Sequence, residues 1–154
     1  MRIRKMRVED AAEVVRLHRG TIRAINSQDY APGEIAVWAG SRKTAWLRSH
    51  FGDELRFVAE EGGKIVGFAN VSLSGDELQA LYVHKNYQGH GIGSKLLAKA
   101  EATAKKLGNS EIRLFSTLTA KTFYQGHGYK SVKRTRLRVQ DITLPTYLMK
   151  KKLG

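Results

Sequence analysis

The stretch "YQGHGIGS", Tyr87–Ser94, sets Gly89, Gly91 and Gly93 at alternate positions. A strand-like run, "ELQALYVHK", precedes it, and a helix-forming run, "KLLAKAEATAKKL", follows. Glycine lets the backbone turn tightly and lets a ligand approach the amides. A helix N-terminus adds unpaired N–H groups and partial positive charge. Together these make a seat for phosphate, although a plain glycine-rich strand-to-helix connection has the same composition. Two common phosphate loops fit poorly. The P-loop needs Gly-Lys followed by Ser or Thr, and here the order is Gly93-Ser94-Lys95. The dinucleotide fingerprint needs a later third glycine and an acidic residue ending the next strand, and neither is present.

The letters QGHG recur at Gln125–Gly128. The flanks differ, so the two copies read as separate devices. The first joins a strand to a long helix. The second joins a short helix to a strand and turns the chain, with Gly126 as helix cap, Gly128 leading into the strand and His127 exposed.

The elements around these loops follow from periodicity. "IRKMRV" alternates as a strand. The next helix has Val14, Val15, Leu17, His18, Ile22 and Ile25 near one face, opened by an Asp10–Glu13 capping box. A short helix runs from Pro32 to about Gly40, and "SRKTAWLRSHF" gives another helical turn or two. Gly62-Gly63 marks a hairpin, and Ser74-Gly75-Asp76 turns the chain into a third strand. The helix after Gly91–Gly93 has Leu96, Leu97, Ala100, Ala104 and Leu107 as its apolar stripe, with Gly108 at its end. "SEIRLFST" is a buried strand, "TAKTFYQG" a short helix, and two strands close the chain. The predicted order is β-α-α-β-β-β-α-β-α-β-β, one mixed α/β domain over residues 1–154.

Composition bounds the function. The chain has 154 residues, 42% of them hydrophobic, and contains no cysteine. That excludes a disulfide scaffold, a cysteine zinc site and a cysteine nucleophile. No apolar run is long enough for a membrane span, and "MRIRKMRVED" contains no signal core, so a cytoplasmic protein is expected. The net charge is +13. Residues 130–154 hold eight Lys or Arg against one acid, Asp141. Solvated strand faces, steering of an anionic ligand and nucleic-acid binding all fit this charge. Sparse aromatics among the basic residues disfavour nucleic acid.

The spacing Gln88-x-x-Gly91-x-Gly93 after "LYVHKNY" resembles the pyrophosphate loop of the GNAT superfamily of acyl-CoA-dependent N-acyltransferases. "GGKIVGFANV" resembles that family's central hairpin. Ala120, Phe123-Tyr124 and Gly128-Tyr129 resemble its last helix and following strand. The strong resemblance covers about residues 57–130. It implies a mixed, mostly antiparallel sheet of about six to seven strands, splayed between strands 4 and 5, with helices on both faces. It also implies acetyl-CoA as acyl donor. Backbone groups of Leu81, Tyr82 and Val83 would pair with the pantetheine arm. The amides of Gln88, Gly89, His90, Gly91, Ile92, Gly93 and Ser94 would hold the pyrophosphate. Thr117 and Thr119 stand where the family often has a cofactor-contacting asparagine, beside Ala120 and Phe123. His90 replaces a frequent Lys or Arg and carries less charge at neutral pH.

The resemblance also distributes the chemistry. The acceptor amine must lose a proton, the thioester oxygen must be stabilised, and the thiolate must leave. Without a cysteine, direct attack in a ternary complex is favoured over an acyl-enzyme. Tyr124 is the candidate acid, and the Val83 N–H the candidate donor to the thioester oxygen. Glu77 is the candidate base. Gln79, on the same strand face two residues on, could relay through water, and His84 is a third choice. His18 and His50 read as helix-face residues. Tyr30 and Trp38 are candidates to line the acceptor pocket, or simply core residues. The leading function is an N-acetyltransferase acting on a primary amine of a small molecule or protein, with a polybasic peptide disfavoured by charge. The alternatives are a basic nucleic-acid-binding module and a relative that binds acyl-CoA without turnover. A homodimer is compatible with the sequence, but no stretch demonstrates one. No metal is expected.

Overall fold

A computed structural model describes residues 1–154. The chain runs β1 (Arg2–Lys5), α1 (Ala11–Ala24), α2 (Pro32–Ala39), α3 (Thr44–Ser49), β2 (Glu54–Glu61), β3 (Lys64–Ser72), β4 (Glu77–Val83), α4 (Ile92–Lys106), β5 (Glu111–Thr117), α5 (Lys121–Gly126), β6 (Lys130–Val139) and β7 (Ile142–Lys152). The element order matches the sequence reading, with α3 as the additional helical turn. All seven strands share one sheet in the order β1-β2-β3-β4-β5-β7-β6. Every pairing is antiparallel except β4 with β5. No helix is long and apolar enough to cross a membrane.

Two apolar layers sandwich the sheet. On one face α4 buries Leu96, Leu97, Ala100 and Ala104 against Val66, Ala69, Val71, Ile112 and Leu114. On the other α1 buries Val14, Val15 and Leu17 against Val58, Ile65 and Phe68. A third cluster packs Tyr30, Ile35 and Trp38 onto Leu144 of β7.

A β-bulge in β4 decides which of its side chains face which layer. Asn70 pairs with Ala80 and Val71 with Leu78, so Gln79 has no partner across the ladder. Strict alternation would put Leu78 and Ala80 on one face. Instead Leu78 joins Leu81 and Val83 in the α4 layer, while Ala80 joins Tyr82 in the α1 layer. An extra residue in one strand produces this inversion.

The sheet then forks. β4 and β5 pair only at Glu77–Arg113 and Leu78–Leu114, and separate from the bulge onward. The His84 N–H to Val66 carbonyl bond, 2.8 Å, fixes the phase of the β3–β4 ladder. With Gly67 opposite Val83 and Ala69 opposite Leu81, those two β4 residues turn their N–H and C=O groups away from β3, into the fork.

Several local expectations are corrected. Asp10 and Glu13 do not form a capping box. Asp10 accepts the Arg7 N–H at 2.8 Å and pairs with Arg4, while Glu13 accepts the Ile65 N–H at 2.8 Å and ties α1 to β3. Leu107 is 48% exposed, because the helix ends before its side chain can turn inward. The left-handed residue ending α5 is Gly128, φ 91°, not Gly126. The Tyr129 N–H bonds the Tyr124 carbonyl and the Gly128 N–H bonds the Gln125 carbonyl. This is a Schellman ending, which needs its left-handed residue two positions after the last helical one.

Candidate active site

The fork encloses a cavity of about 480 Å³. One wall is β4, from Leu78 to Val83, and the opposite side is built from Leu114, Phe115, Thr117 and α5. The glycine loop closes one end. Gln88, Gly89, Gly91, Ile92, Gly93 and Ser94 all line it. Gly91 is the N-cap of α4 and has φ 78°, a backbone that L side chains rarely adopt. Phe123 crosses the start of α4 so closely that a Cβ on Gly93 would sit 3.2 Å from its ring. The first turn of α4 therefore presents bare backbone to the cavity. His90 departs from expectation. Its ring is exposed, donates from Nδ1 to the Gln88 carbonyl (2.9 Å), and does not line the cavity.

Side chains lock this loop. The Val83 carbonyl accepts from Gln88 Nε2 at 2.7 Å and from Thr21 Oγ1 at 2.9 Å, tying loop, strand and α1 at one atom. Ser94 Oγ lies 2.9 Å from His127 Nε2, and His127 Nδ1 lies 2.8 Å from the Phe123 carbonyl. A carbonyl only accepts, so Nδ1 carries a proton, and Nε2 shares a hydrogen bond with the Ser94 hydroxyl. His127 is thus not a free surface residue. The second QGHG braces the helix that the first one opens.

Thr117, Thr119, Ala120, Phe123 and Tyr124 line the α5 side. The Thr117 hydroxyl accepts the Ala120 N–H at 3.1 Å. Thr119 Oγ1 is buried with no partner in the protein. An orphaned buried hydroxyl facing a cavity is a position where a ligand group would complete the hydrogen bonding. With the bare backbone of α4, it suits a phosphate- and amide-bearing ligand such as coenzyme A. The Tyr124 ring is 6% exposed and stands edge-on to Phe123 (5.2 Å) and Tyr129 (5.6 Å). Burial, with a smaller contribution from Tyr82, pushes its phenol well above the ordinary tyrosine range.

Tyr30 and Trp38 are both core residues and cavity wall, packed edge to face at 5.1 Å. The Tyr30 hydroxyl donates to the Pro145 carbonyl (2.7 Å) and accepts the Leu118 N–H (2.9 Å), so it joins the two sides of the fork. Gln79, the unpaired residue of the bulge, lines the cavity. Glu77 lies before the bulge, outside the cavity, and its carboxylate takes the Arg113 Nε–H at 3.0 Å. Of the two, only Gln79 lines the cavity. His84 is also elsewhere; its Nδ1 accepts the Asn86 N–H. His50 stacks on Trp46 at the end of α3. Among residues missed in the sequence, Thr21 and Asn26 line the cavity from α1 and the turn after it. A threonine within the α1 apolar stripe was the available signal.

A family model described as "Acetyltransferase (GNAT) domain" matches residues 26–152. The chain is 27% identical over 134 residues to the uncharacterized N-acetyltransferase YafP of Escherichia coli (strain K12), covering 85% of this chain and 84% of that protein. In fold it resembles a GCN5-related N-acetyltransferase from Rhodopseudomonas palustris, with TM-score 0.93, 25% identity, and coverage of 99% and 95% of the two chains. It also resembles the PaiA N-acetyltransferase from Thermoplasma acidophilum, solved with coenzyme A, with TM-score 0.80, 24% identity, and 98% of each chain covered. A model match spanning most of the chain, on a sheet forked beside a glycine-opened helix, means that the chain belongs to the GNAT acetyltransferase family, whose co-substrate is acetyl-CoA.

Proposed function

We propose that this protein transfers an acetyl group from acetyl-CoA to a primary amine by direct attack in a ternary complex. The observation that carries this reading is the single cavity in the fork, which has bare helix backbone at one end and the Tyr124 side chain in its wall. Acetyl-CoA supplies the activated thioester. The amides of Gln88–Ser94 hold its pyrophosphate at the α4 N-terminus, where the helix field favours anions. Leu81 and Val83 direct backbone groups into the fork to align the pantetheine arm, and Thr119 Oγ1 gains a partner. The Val83 N–H donates to the thioester oxygen as negative charge builds there. Tyr124 delivers a proton to the departing sulfur. Glu77 lies outside the cavity lining, with its carboxylate taken by Arg113, so Gln79 is the nearer of the two candidates to the fork. Gln79 is placed to orient a water that takes the amine proton.

The test is calorimetric titration with acetyl-CoA, beside a short DNA duplex at physiological salt, followed by a screen of amines for thiol release. Micromolar acetyl-CoA binding with amine-dependent thiol release supports the reading. Acetyl-CoA binding with no release from any amine would leave a binding protein. Tight DNA binding without an acetyl-CoA response would move the site to the basic strands.

A further inference from the structure

A second chamber adjoins the cavity and shares Trp38, Gln79, Ala80, Tyr82 and Leu137 with it. It measures about 350 Å³, and its remaining wall includes His18, Ser41, Arg42, Lys43 and Trp46. No carboxylate lines it.

Two of its polar side chains are unsatisfied. Arg42 Nη1 is buried with no hydrogen-bond partner. The guanidinium lies over the Phe68 ring, 5.6 Å from the centroid, and no acid stands within ion-pair distance. Glu54, the nearest candidate, is paired with Arg56 at 3.2 Å. The contrast with Arg56 is informative. That guanidinium is the more deeply buried of the two, yet it is satisfied, donating also to the carbonyls of Phe51 and His50. His18 is 3% exposed, and its Nδ1 also has no partner. Its ring stands edge-on to Tyr82 at 4.8 Å. A buried charge without a counter-charge is costly, and proteins pair such groups or leave them for a ligand.

From this chamber, resting on the transferase reading above, we infer that the acceptor amine carries a carboxylate, held by Arg42 with His18 Nδ1 beside it, while its amino group extends past Gln79 and Tyr82 into the fork. The charge count selects an anion. Arg42 and Lys43 are the cations of the wall with no acid opposing them, and the planar edge of the Arg42 guanidinium matches the two coplanar oxygens of a carboxylate. Burial holds the His18 imidazole neutral, with Arg42 and Arg19 acting in the same direction, so it contributes a hydrogen bond and not a further charge. The acceptor class is therefore amino-acid-like.

The experiment compares the common L-amino acids with their C-terminal amides, and phosphoethanolamine with ethanolamine, as acceptors at saturating acetyl-CoA. Thiol release is the readout. At least one free acid should show kcat/KM ten-fold or more above its amide. Arg42→Gln should raise KM for that acid ten-fold or more and collapse the acid-to-amide ratio, with acetyl-CoA affinity unchanged by calorimetry. Arg42→Lys, which keeps the charge and loses the fork geometry, should fall between the two and covers the case in which Arg42→Gln does not fold. Amides used as well as acids would overturn the inference and leave the transferase standing. Preference for phosphoethanolamine would assign the chamber to phosphate and also overturn it. If nothing is acetylated, melting of the CoA-bound protein with the same panel decides. Stabilisation by acids alone, lost in Arg42→Gln, keeps the anion site and removes the transferase. No acid-specific shift removes the inference.

Discussion

Replacing Tyr124 by phenylalanine deletes one hydroxyl from the cavity wall and leaves the ring contacts with Phe123 and Tyr129 in place. That hydroxyl makes no hydrogen bond within the protein, so its loss orphans no buried partner, and the melting temperature should change little. The catalytic effect should be larger. Because burial raises the Tyr124 phenol above its ordinary value, it keeps its proton throughout the neutral range and can act only as a donor. A general acid is worth about 100- to 10,000-fold. The leaving thiol has a pKa near about 8.5, so its thiolate departs tolerably without help, and the lower end applies. A drop in kcat of roughly 100-fold, about 2.7 kcal/mol, is expected. Acetyl-CoA affinity measured by calorimetry should stay within about three-fold, since uniform binding is untouched. The wild-type rate should show no descending limb assignable to Tyr124 below about pH 10. A kcat within three-fold of wild type would falsify the acid role. A fall in affinity matching the fall in rate would reassign Tyr124 to cofactor binding.

Gly91→Glu forces a side chain onto a left-handed backbone, at about 1–2 kcal/mol, and sets a carboxylate at the phosphate seat. At about 6 Å and an effective dielectric near 20, each like-charge pair costs roughly 3 kcal/mol, so acetyl-CoA affinity should fall at least 100-fold, and unchanged calorimetric affinity in the folded variant refutes the loop assignment. Glu77→Gln should hold turnover within about two-fold and cost under about 1 kcal/mol of stability, because its partner Arg113 is half exposed; a 100-fold slower enzyme would return the base to Glu77. His18 titrates well below its ordinary range in the folded protein, so the unfolded chain binds the extra proton first as pH falls. Stability should drop from about pH 6.5 downward, by up to about 1.4 kcal/mol per unit, until the folded pKa is reached. The Asp10 carboxylate, held low by Arg4, contributes only in stronger acid, below its ordinary range. Urea melts of His18→Phe should lose the His18-linked slope, and an identical slope would assign it elsewhere.

Local patterns carried most of the fold, and pairing between distant segments produced the errors. The order of elements, the α1 and α4 stripes and the glycine loop all depend on neighbours within a few residues, so they were legible. The bulge at Gln79 was not. Alternation is a property of an unbroken strand, and the bulge exists only because β3 pairs differently on either side of Gln79. Asp10 and Glu13 had the spacing of a cap, but Arg4 and the Ile65 amide compete for them from other strands. His127 looked exposed because its partner, Ser94, lies 33 residues earlier. Arg42 sits in a polar loop with no periodicity, and only the placement of Phe68 and Tyr82 beneath it shows that the loop covers a chamber.

The two-rung seam between β4 and β5 gives the molecule a mechanical character that a continuous sheet would lack. Beyond Leu78 the halves share apolar layers but no ladder, and side-chain clasps add the polar ties between them: Tyr30 to Pro145 and Leu118, Ser94 to His127, and Glu101 to Tyr129 and Lys151. Each clasp is a side chain, so each can be loosened by one substitution without unzipping a ladder. The aperture of the fork is therefore adjustable at three separate points, like the jaws of a vice set by independent screws. Related chains could admit bulkier acyl or acceptor groups by altering one clasp while the sheet on either side keeps its register.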